Sequence, residues 1–312
     1  MSQACPLCGS DSSAVVGRLT RAELRTIWLH NLGVDPSSWI PTPSIDYQYC
    51  DVCDLRYFDD GLAGPEEMYR ELEKLPWYYL ENKPEFDIAI RNLAGAERIL
   101  EIGAGAGAFG RLISQRAAYV GLEFNASAAE QAVASGLDVR TESLADHLAS
   151  APPAYDAVVT FQVMEHVPAV GDFIRECRSC LRPGGRLIVS VPSHDGFIGG
   201  EVNSILDLPP HHLTQWSDRC LSEIADLFDL ILLGMEHDDI APYHRANYLH
   251  QKYLDHLGLR RTDARAVRAS SGFRAVDALV RKGSGAWGRV RRPALPRNFG
   301  HSVTAWYELA AL

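Results

Sequence analysis

Two pairs of cysteines near the start of the chain have the spacing of metal ligands. Cys5 and Cys8 form one CxxC pair, and Cys50 and Cys53 form a second. Each pair can present two thiolates to one tetrahedral ion, so that two pairs complete a four-cysteine zinc site. The gap, residues 9 to 49, is 41 residues long and exceeds the roughly 15 to 20 of a usual zinc ribbon, which we interpret as an insertion. We predict a structural zinc ion, without a catalytic role because protein ligands fill all four positions.

A third CxxC pair has a different interpretation. Cys177 and Cys180 fall at the end of a predicted amphipathic helix, and no second pair lies nearby in the sequence. A free cysteine packs like a small apolar residue. We therefore predict that this pair belongs to the core.

A glycine-rich segment is the strongest sign of ligand binding. The stretch ILEIGAGAGAFG, residues 99 to 110, reads as a buried strand, a tight turn and the start of a helix. Gly103, Gly105 and Gly107 let the backbone approach a ligand closely and adopt angles closed to other residues. Dinucleotide-binding folds use a similar turn, and a turn without any ligand is the alternative.

An acidic residue follows at the distance expected for an adenosine ligand. Glu123 lies about 20 residues further on, in the stretch GLEFN at the end of the second predicted strand, with Phe124 beside it. A carboxylate there can accept hydrogen bonds from both ribose hydroxyls.

Three further features separate this pattern from that of nicotinamide-dependent enzymes. They are Glu101 inside the glycine-rich segment, the stretch FQVMEHV at 161 to 167, and LRPGGRL at 181 to 187. With them, the chain resembles the class I S-adenosylmethionine-dependent methyltransferases. The likeness is to the broad group of ubiquinone-biosynthesis O-methyltransferases and sugar and natural-product enzymes, and it covers roughly residues 95 to 237 and the last strand.

The resemblance implies S-adenosylmethionine as cofactor and a role for each matching residue. Phe161 and Gln162 would flank the methionine moiety beneath the substrate, with a core aromatic as the alternative interpretation of Phe161. An aspartate often lies near the adenine in the family; Glu142, Ser143 and Asp146 leave that position open here. The implied cofactor contacts are Glu101, Gly103, Gly105 and Gly107 at the methionine end, Glu123 and Phe124 at the ribose, and Ser143 and Leu144 at the adenine edge.

The cysteine segment also has a counterpart in this group. It resembles the zinc-binding N-terminal module that precedes some of these methyltransferases. Asp54 stands where a glycine is common after the second pair, which is a departure from that pattern.

Histidines supply the candidate catalytic groups. Methyl transfer from a sulfonium is an in-line displacement, so a base is needed only if the acceptor must lose a proton. His211 and His212 lie in the stretch PPHHLTQWS, in a predicted loop before a helix capped by Ser217. His166 follows the fourth predicted strand, and its alternative role is to tie this loop to the sheet.

Alternating apolar runs and amphipathic stretches from Arg98 onward predict an α/β fold. We expect a Rossmann-like, mostly parallel seven-stranded sheet with an N-terminal zinc-ribbon-like module and a helical insertion before the last strand. The predicted division is a zinc module over 1–62, a helical lead-in over 63–97, a core over 98–244 and 298–312, and a basic lid or arm over 245–297. The predicted strands are Arg98 to Ile102, Ala118 to Leu122, a short one near Val139, Ala157 to Thr160, Arg186 to Val191, Leu230 to Glu236 and Val303 to Leu309.

Charge is distributed unevenly along the chain. The net charge is −10, but residues 245–297 contain 13 Lys+Arg and 3 Asp+Glu, a balance of +10, which leaves −20 for the rest. The guanidinium groups of this segment suit phosphate groups of an acceptor, with a solvated helical face as the alternative. RNA is the least expected partner, because the acidic remainder would repel it.

The sequence therefore predicts a methyltransferase that acts on a hydroxyl of a small metabolite or sugar-derived acceptor. Nitrogen or carbon as acceptor atom, a dehydrogenase, and an inactive scaffold with a zinc-ribbon interaction module are the alternatives. The first residues carry no signal peptide pattern and no run of about 18 apolar residues occurs, so we expect a cytoplasmic protein without a membrane span. The oligomeric state is not indicated.

Overall fold

A computed structural model of the chain gives the arrangement of most of these segments. It describes residues 4–58, 63–75, 78, 81–93, 95–150, 154–201, 204–258 and 294–311, with scattered positions between 272 and 283. The strands are β1 (Ser13–Thr20), β2 (Ser44–Cys50), β3 (Arg56–Phe58), β4 (Arg98–Ile102), β5 (Ala118–Leu122), β6 (Val139–Arg140), β7 (Tyr155–Phe161), β8 (Leu181–Pro192), β9 (Thr214–Gln215), β10 (Leu230–His237) and β11 (Ser302–Leu309). The helices with described bounds are α1 (Arg21–Leu32), α2 (Glu66–Glu73), α3 (Pro84–Asn92), α4 (Ala108–Ile113), α5 (Ala126–Ala134), α6 (Leu144–Ser150), α7 (Val170–Ser179), α8 (Asp218–Leu227) and α9 (Arg245–His256).

A seven-stranded sheet forms the centre of the fold. Its order is β10-β11-β8-β7-β4-β5-β6, and β4 pairs in parallel with both β5 and β7. β11 is antiparallel to both of its neighbours, β8 and β10, and so runs opposite to the other strands of this sheet. The predicted Rossmann-like, mostly parallel sheet is confirmed, as are its strands, although β8 begins at Leu181, five residues before the predicted start.

The two faces of this sheet are covered by different helices because successive strand residues point to opposite sides. Ile99 packs with Phe86 of α3 and Phe109 of α4 on one face. Leu100 packs with Ile174 of α7 and Leu221 of α8 on the other. Because β4, β5 and β7 are parallel, their carboxyl ends lie at the same edge of the sheet, where the glycine-rich turn follows β4.

A second, antiparallel sheet joins the N-terminal residues to the core. Its order is β1-β2-β3-β9, and β9 begins two residues after His212. The hydroxyl of Tyr47 in β2 donates a 2.6 Å hydrogen bond to Gln215 in β9. The sequence predicted no strands here. Helix α1, which joins β1 to β2, begins with a capping box formed by Thr20 and Glu23.

The cysteine knuckles pack directly on the core. The backbone N–H of Gly171, in α7, donates a 2.9 Å hydrogen bond to the carbonyl oxygen of Pro6. A Cβ atom at Gly171 would lie 2.6 Å from the carbonyl oxygen of Leu7, so only glycine allows this approach. Cys177 and Cys180, at the end of α7, are buried in the core cluster, as predicted.

The basic segment is described only at its ends and at scattered positions. It opens with α9, and nine of its eleven arginines lie outside the described residues: Arg260, Arg261, Arg265, Arg268, Arg274, Arg281, Arg289, Arg291 and Arg292. No helix in the described part of the chain combines the length and apolar character that crossing a membrane requires.

Candidate active site

The glycine-rich turn leaves an open space at one of its three glycines. Gly103, Gly105 and Gly107 all adopt left-handed backbone angles, with φ of +79°, +52° and +80°. A Cβ atom at Gly103 would lie 2.3 Å from Cγ2 of Val163, and one at Gly107 would lie 2.4 Å from Cδ1 of Leu137. A Cβ atom at Gly105 would meet nothing within 4 Å. Packing thus explains two of the glycines, whereas Gly105 faces a space in which a ligand can approach the backbone.

Glu123 stands across this turn at the end of β5. One oxygen of its carboxylate accepts a 2.7 Å hydrogen bond from the N–H of Gly105, and the other accepts a 2.8 Å bond from the N–H of Asn125. A carboxylate offers about four acceptor positions, so lone pairs remain for ribose hydroxyls. The next side chain, Phe124, is 77% exposed and free to contact a ligand.

Glu101 is buried beneath the turn and has a partner that the sequence did not indicate. The hydroxyl of Tyr119, in β5, donates a hydrogen bond to its carboxylate. The tyrosine reaches this position because Gly121, opposite Glu101 in the sheet, has no side chain to block it. Burial raises the pKa of Glu101 to about 8, so the carboxyl is mostly protonated at neutral pH until a cation lies near it.

The predicted adenine-edge residues begin helix α6. The hydroxyl of Ser143 accepts a 3.0 Å hydrogen bond from the N–H of Asp146 and donates one of 2.5 Å to the Asp146 carboxylate. Leu144 is buried in the core. The side chain of Ser143 is therefore engaged in capping the helix, and a cofactor contact by these two residues stays a prediction.

Phe161 and Gln162 occupy the end of β7 in different environments. Phe161 is buried, with ring centroids of Phe86 and Phe109 each 4.9 Å away, which fits the core-aromatic interpretation. Gln162 has a φ of +58°, unusual for a residue other than glycine, and its amide donates a 3.1 Å hydrogen bond to the hydroxyl of Ser302. Such strained backbone is concentrated at functional sites.

The three candidate histidines form one cluster. His166 follows β7, and the loop before β9 supplies His211 and His212; the ring centroids are 4.5 to 4.8 Å apart. Nδ1 of His166 lies 2.7 Å from the carbonyl oxygen of His211. Nδ1 of His211 lies 2.6 Å from the carbonyl oxygen of Leu206, and Nδ1 of His212 lies 3.0 Å from a carboxylate oxygen of Asp207.

These contacts fix the tautomer of each ring. Carbonyl and carboxylate oxygens accept hydrogen bonds, so each Nδ1 carries the proton and each Nε2 carries a lone pair. Burial lowers the pKa of His166 to about 4 and lowers the pKa values of His211 and His212 well below the ordinary value. The rings are therefore neutral at physiological pH.

A buried carboxyl faces two of these lone pairs. Glu165 is 1% exposed, and its Oε1 lies 3.9 Å from Nε2 of His166 and 3.9 Å from Nε2 of His212. Neither oxygen has a hydrogen-bond partner among the described residues. Burial raises the pKa of Glu165 to about 8.

The helical lead-in covers both halves of the site. The hydroxyl of Tyr78 donates a 2.9 Å hydrogen bond to Nε2 of His211, and that of Tyr69, in α2, lies 3.4 Å from Nδ1 of His166. At the ribose end, Glu73 of α2 accepts a hydrogen bond from the amide of Asn125. The helical lead-in thus contacts both Asn125, near the glycine-rich turn, and the histidine cluster.

Comparison with known proteins identifies the family of this chain. A sequence model of the family described as "Methyltransferase domain" matches residues 65–257, which is 193 of the 312 residues. The chain belongs to this methyltransferase family. The ubiquinone biosynthesis O-methyltransferase of Xanthomonas euvesicatoria is 32% identical over 138 residues, and that of Xylella fastidiosa strain M23 is 33% identical over 134 residues.

These relatives overlap the chain in part only. Each match covers 41% of this chain, and the chain spans about half the length of the relatives, 53% and 51%. Among solved structures, a SAM-dependent methyltransferase from Archaeoglobus fulgidus is similar with a TM-score of 0.48 and 14% identity, over 80% of this chain and 97% of that one.

The chain also brings its four N-terminal cysteines together. Their sulfur atoms all lie within 4.8 Å of one another, with 3.6 Å from Cys5 to Cys53 and from Cys8 to Cys50. Four thiolates around zinc at about 2.3 Å would be about 3.8 Å apart, so the arrangement fits a tetrahedral ion. These four cysteines and the three histidines are the two groups of potential metal ligands among the described residues.

The two knuckles have matching turns despite their different sequences. Gly9 follows the first pair with a φ of +72°, and Asp54 follows the second with a φ of +63°. The Asp54 carboxylate accepts hydrogen bonds from the hydroxyls of Tyr49 and Ser217, which hold it in this strained conformation. The aspartate that departs from the family pattern therefore fills the same backbone role and also ties the knuckle to the N-cap of α8.

Proposed function

We propose that this chain transfers a methyl group from S-adenosylmethionine to a hydroxyl of a small metabolite or sugar-derived acceptor. The observation that carries the proposal is the open space at Gly105, bordered by the Glu123 carboxylate that the Gly105 N–H itself positions. Membership of the methyltransferase family and the names of the partial relatives support it. When bound, the cofactor supplies an activated methyl group on a sulfonium.

The chain's own residues bind and orient the cofactor. The backbone at Gly103 and Gly105 would lie against its methionine end. The buried Glu101, as a carboxylate, would neutralise the ammonium group of the methionine moiety. Glu123 would accept hydrogen bonds from the ribose hydroxyls, and Phe124 would lie beside the base. Gly107, Ser143, Leu144, Phe161 and Gln162 complete the proposed cofactor site, with Gly107 acting through helix packing.

The histidine cluster is the proposed acceptor side. Val163, which packs on Gly103, is followed within three residues by His166, so the cluster adjoins the methionine end of the turn. The Nε2 lone pairs of His166 and His212 can accept a hydrogen bond from an acceptor hydroxyl and weaken its O–H bond. Nε2 of His211 already accepts the Tyr78 hydroxyl, so we propose that His211 shapes the pocket.

We further propose that zinc on Cys5, Cys8, Cys50 and Cys53 is structural. Burial of three of the four cysteines and their packing against α7 and α8 support this role. The domain division at residues 62, 97 and 244, a basic arm that binds acceptor phosphate, and a cytoplasmic location remain parts of the proposal.

Isothermal titration with S-adenosylhomocysteine, with zinc counted by mass spectrometry on the same sample, tests the function. We expect roughly micromolar binding and zinc in the purified chain, followed by methylation of hydroxyl-bearing acceptors detected by mass and NMR. A folded, zinc-loaded protein without such binding would favour the scaffold alternative. Binding of a nicotinamide dinucleotide alone would favour a dehydrogenase, and methyl groups on nitrogen or carbon would correct the acceptor atom.

A further inference from the structure

We propose that Glu165, His166 and His212 form a second metal site, for a divalent transition-metal ion such as zinc, at the acceptor side and separate from the cysteines. His211 stands beside this site as a further nitrogen whose lone pair the Tyr78 hydroxyl occupies. The role of the ion rests on the proposed function, whereas its binding does not.

The hydrogen bonds of the rings prepare lone pairs for an ion. Histidines that bind metals usually donate their other N–H to a carbonyl or carboxylate oxygen, which fixes the tautomer and raises the basicity of the ligand nitrogen. His166 does so to the carbonyl oxygen of His211, and His212 does so to the carboxylate of Asp207. Both Nε2 atoms, which lie 3.9 Å from Oε1 of Glu165, then carry a lone pair and no proton to donate.

The carboxyl between them lacks the partners that burial requires. Glu165 is 1% exposed, and no described residue donates a hydrogen bond to either oxygen. Burying such a group without compensation costs several kcal/mol, and buried charges are paired or coordinate metals. The Nε2 lone pairs of His166 and His212, each 3.9 Å from Oε1, would repel an ionised carboxylate, and a shared cation would satisfy all three groups.

Two of the three distances between the proposed ligand atoms are near those of a coordination shell. Both Nε2 atoms lie 3.9 Å from Oε1 of Glu165, and ligands at about 2.0 to 2.1 Å from a tetrahedral zinc ion are about 3.3 Å apart. Small side-chain rotations would close that difference. Two histidines and one carboxylate leave a fourth position open, as in catalytic zinc sites.

The open position would face the accessible side of the cluster. The His166 side chain is 19% exposed, whereas those of Glu165 and His212 are 1% and 7% exposed. An acceptor hydroxyl entering past His166 could bind the ion, which would make its proton more acidic and align its oxygen. The ion would thus replace direct proton acceptance by an imidazole.

Counting metal in the full-length protein tests the site. The wild type, Glu165→Gln and His212→Asn are each equilibrated with zinc, dialysed against metal-free buffer and counted by mass spectrometry. We expect the wild type to hold one zinc ion more than either variant, with the cysteine-bound zinc unchanged. His237→Asn, which changes a histidine paired with Asp218 outside the cluster, is the matched control and should keep the wild-type count.

Cobalt provides a second measurement that separates the two sites. Thiolate-bound Co²⁺ absorbs strongly by charge transfer, whereas a histidine and carboxylate site gives only weak ligand-field bands. We expect His212→Asn to lose the weak bands and keep the strong ones, and Asp207→Asn to weaken binding of the second ion about 10- to 100-fold. Equal metal counts in the wild type and both variants would overturn the proposal, whether or not the chain binds S-adenosylhomocysteine.

Discussion

Replacing Gly105 by alanine separates the cost of its backbone conformation from the cost of blocking a ligand. With a φ of +52°, alanine at this position should destabilise the fold by about 1 to 2 kcal/mol. The added Cβ meets no protein atom within 4 Å, so packing adds nothing to that cost. A methyl group forced against a closely fitting ligand costs about 1 to 3 kcal/mol, which weakens binding roughly 5- to 150-fold.

A second glycine provides the matched control. Gly184 has a φ of +75°, and a Cβ there also meets nothing within 4 Å, but it lies near the start of β8, at the opposite end of the sheet from the turn after β4. Gly184→Ala should therefore lose similar stability while keeping its affinity for S-adenosylhomocysteine. Thermal unfolding and isothermal titration of both variants measure the two quantities. If the two variants bind equally well, or lose affinity equally, the cofactor does not occupy the space at Gly105.

The other predictions concern charge and metal. Because the buried Glu101 is protonated below its pKa of about 8 and an ammonium would favour its charged form, the affinity for S-adenosylhomocysteine should rise with pH up to about 8, at most about tenfold per unit. Titration in buffers of different ionisation enthalpy should detect the released proton, and Glu101→Gln should abolish the dependence. The hydrogen bond from Tyr119 lowers the pKa of Glu101, so Tyr119→Phe should move this dependence to higher pH; a shift to lower pH would contradict the assignment. Cys50→Ser should remove one zinc ion per chain and lower the unfolding temperature, whereas Cys177→Ser should leave the zinc count unchanged.

The sheet could be predicted from sequence because its signals are local. Each core strand is a short apolar run, and the glycines that follow Ile102 mark the turn without reference to any distant residue. The knuckles are equally local, since both cysteines of a pair lie within four residues. Strands β1 to β3 were missed because their polar and aromatic residues do not form a clear apolar alternation, and the pairing of β3 with β9 joins segments more than 150 residues apart.

The site depended on contacts that no local pattern contains. The candidate histidines and the glycine-rich turn could be identified from the sequence. The residues proposed to contact the cofactor stay predictions. The buried carboxyl of Glu165 between His166 and His212 could not be inferred, because a side chain's burial and its partners depend on how the loop before β9 packs against the end of β7. Sequence thus determined which chemical groups the chain carries and which elements hold them. Tertiary structure decided their distances, protonation and access to solvent, since these depend on atoms that meet only when the chain is folded.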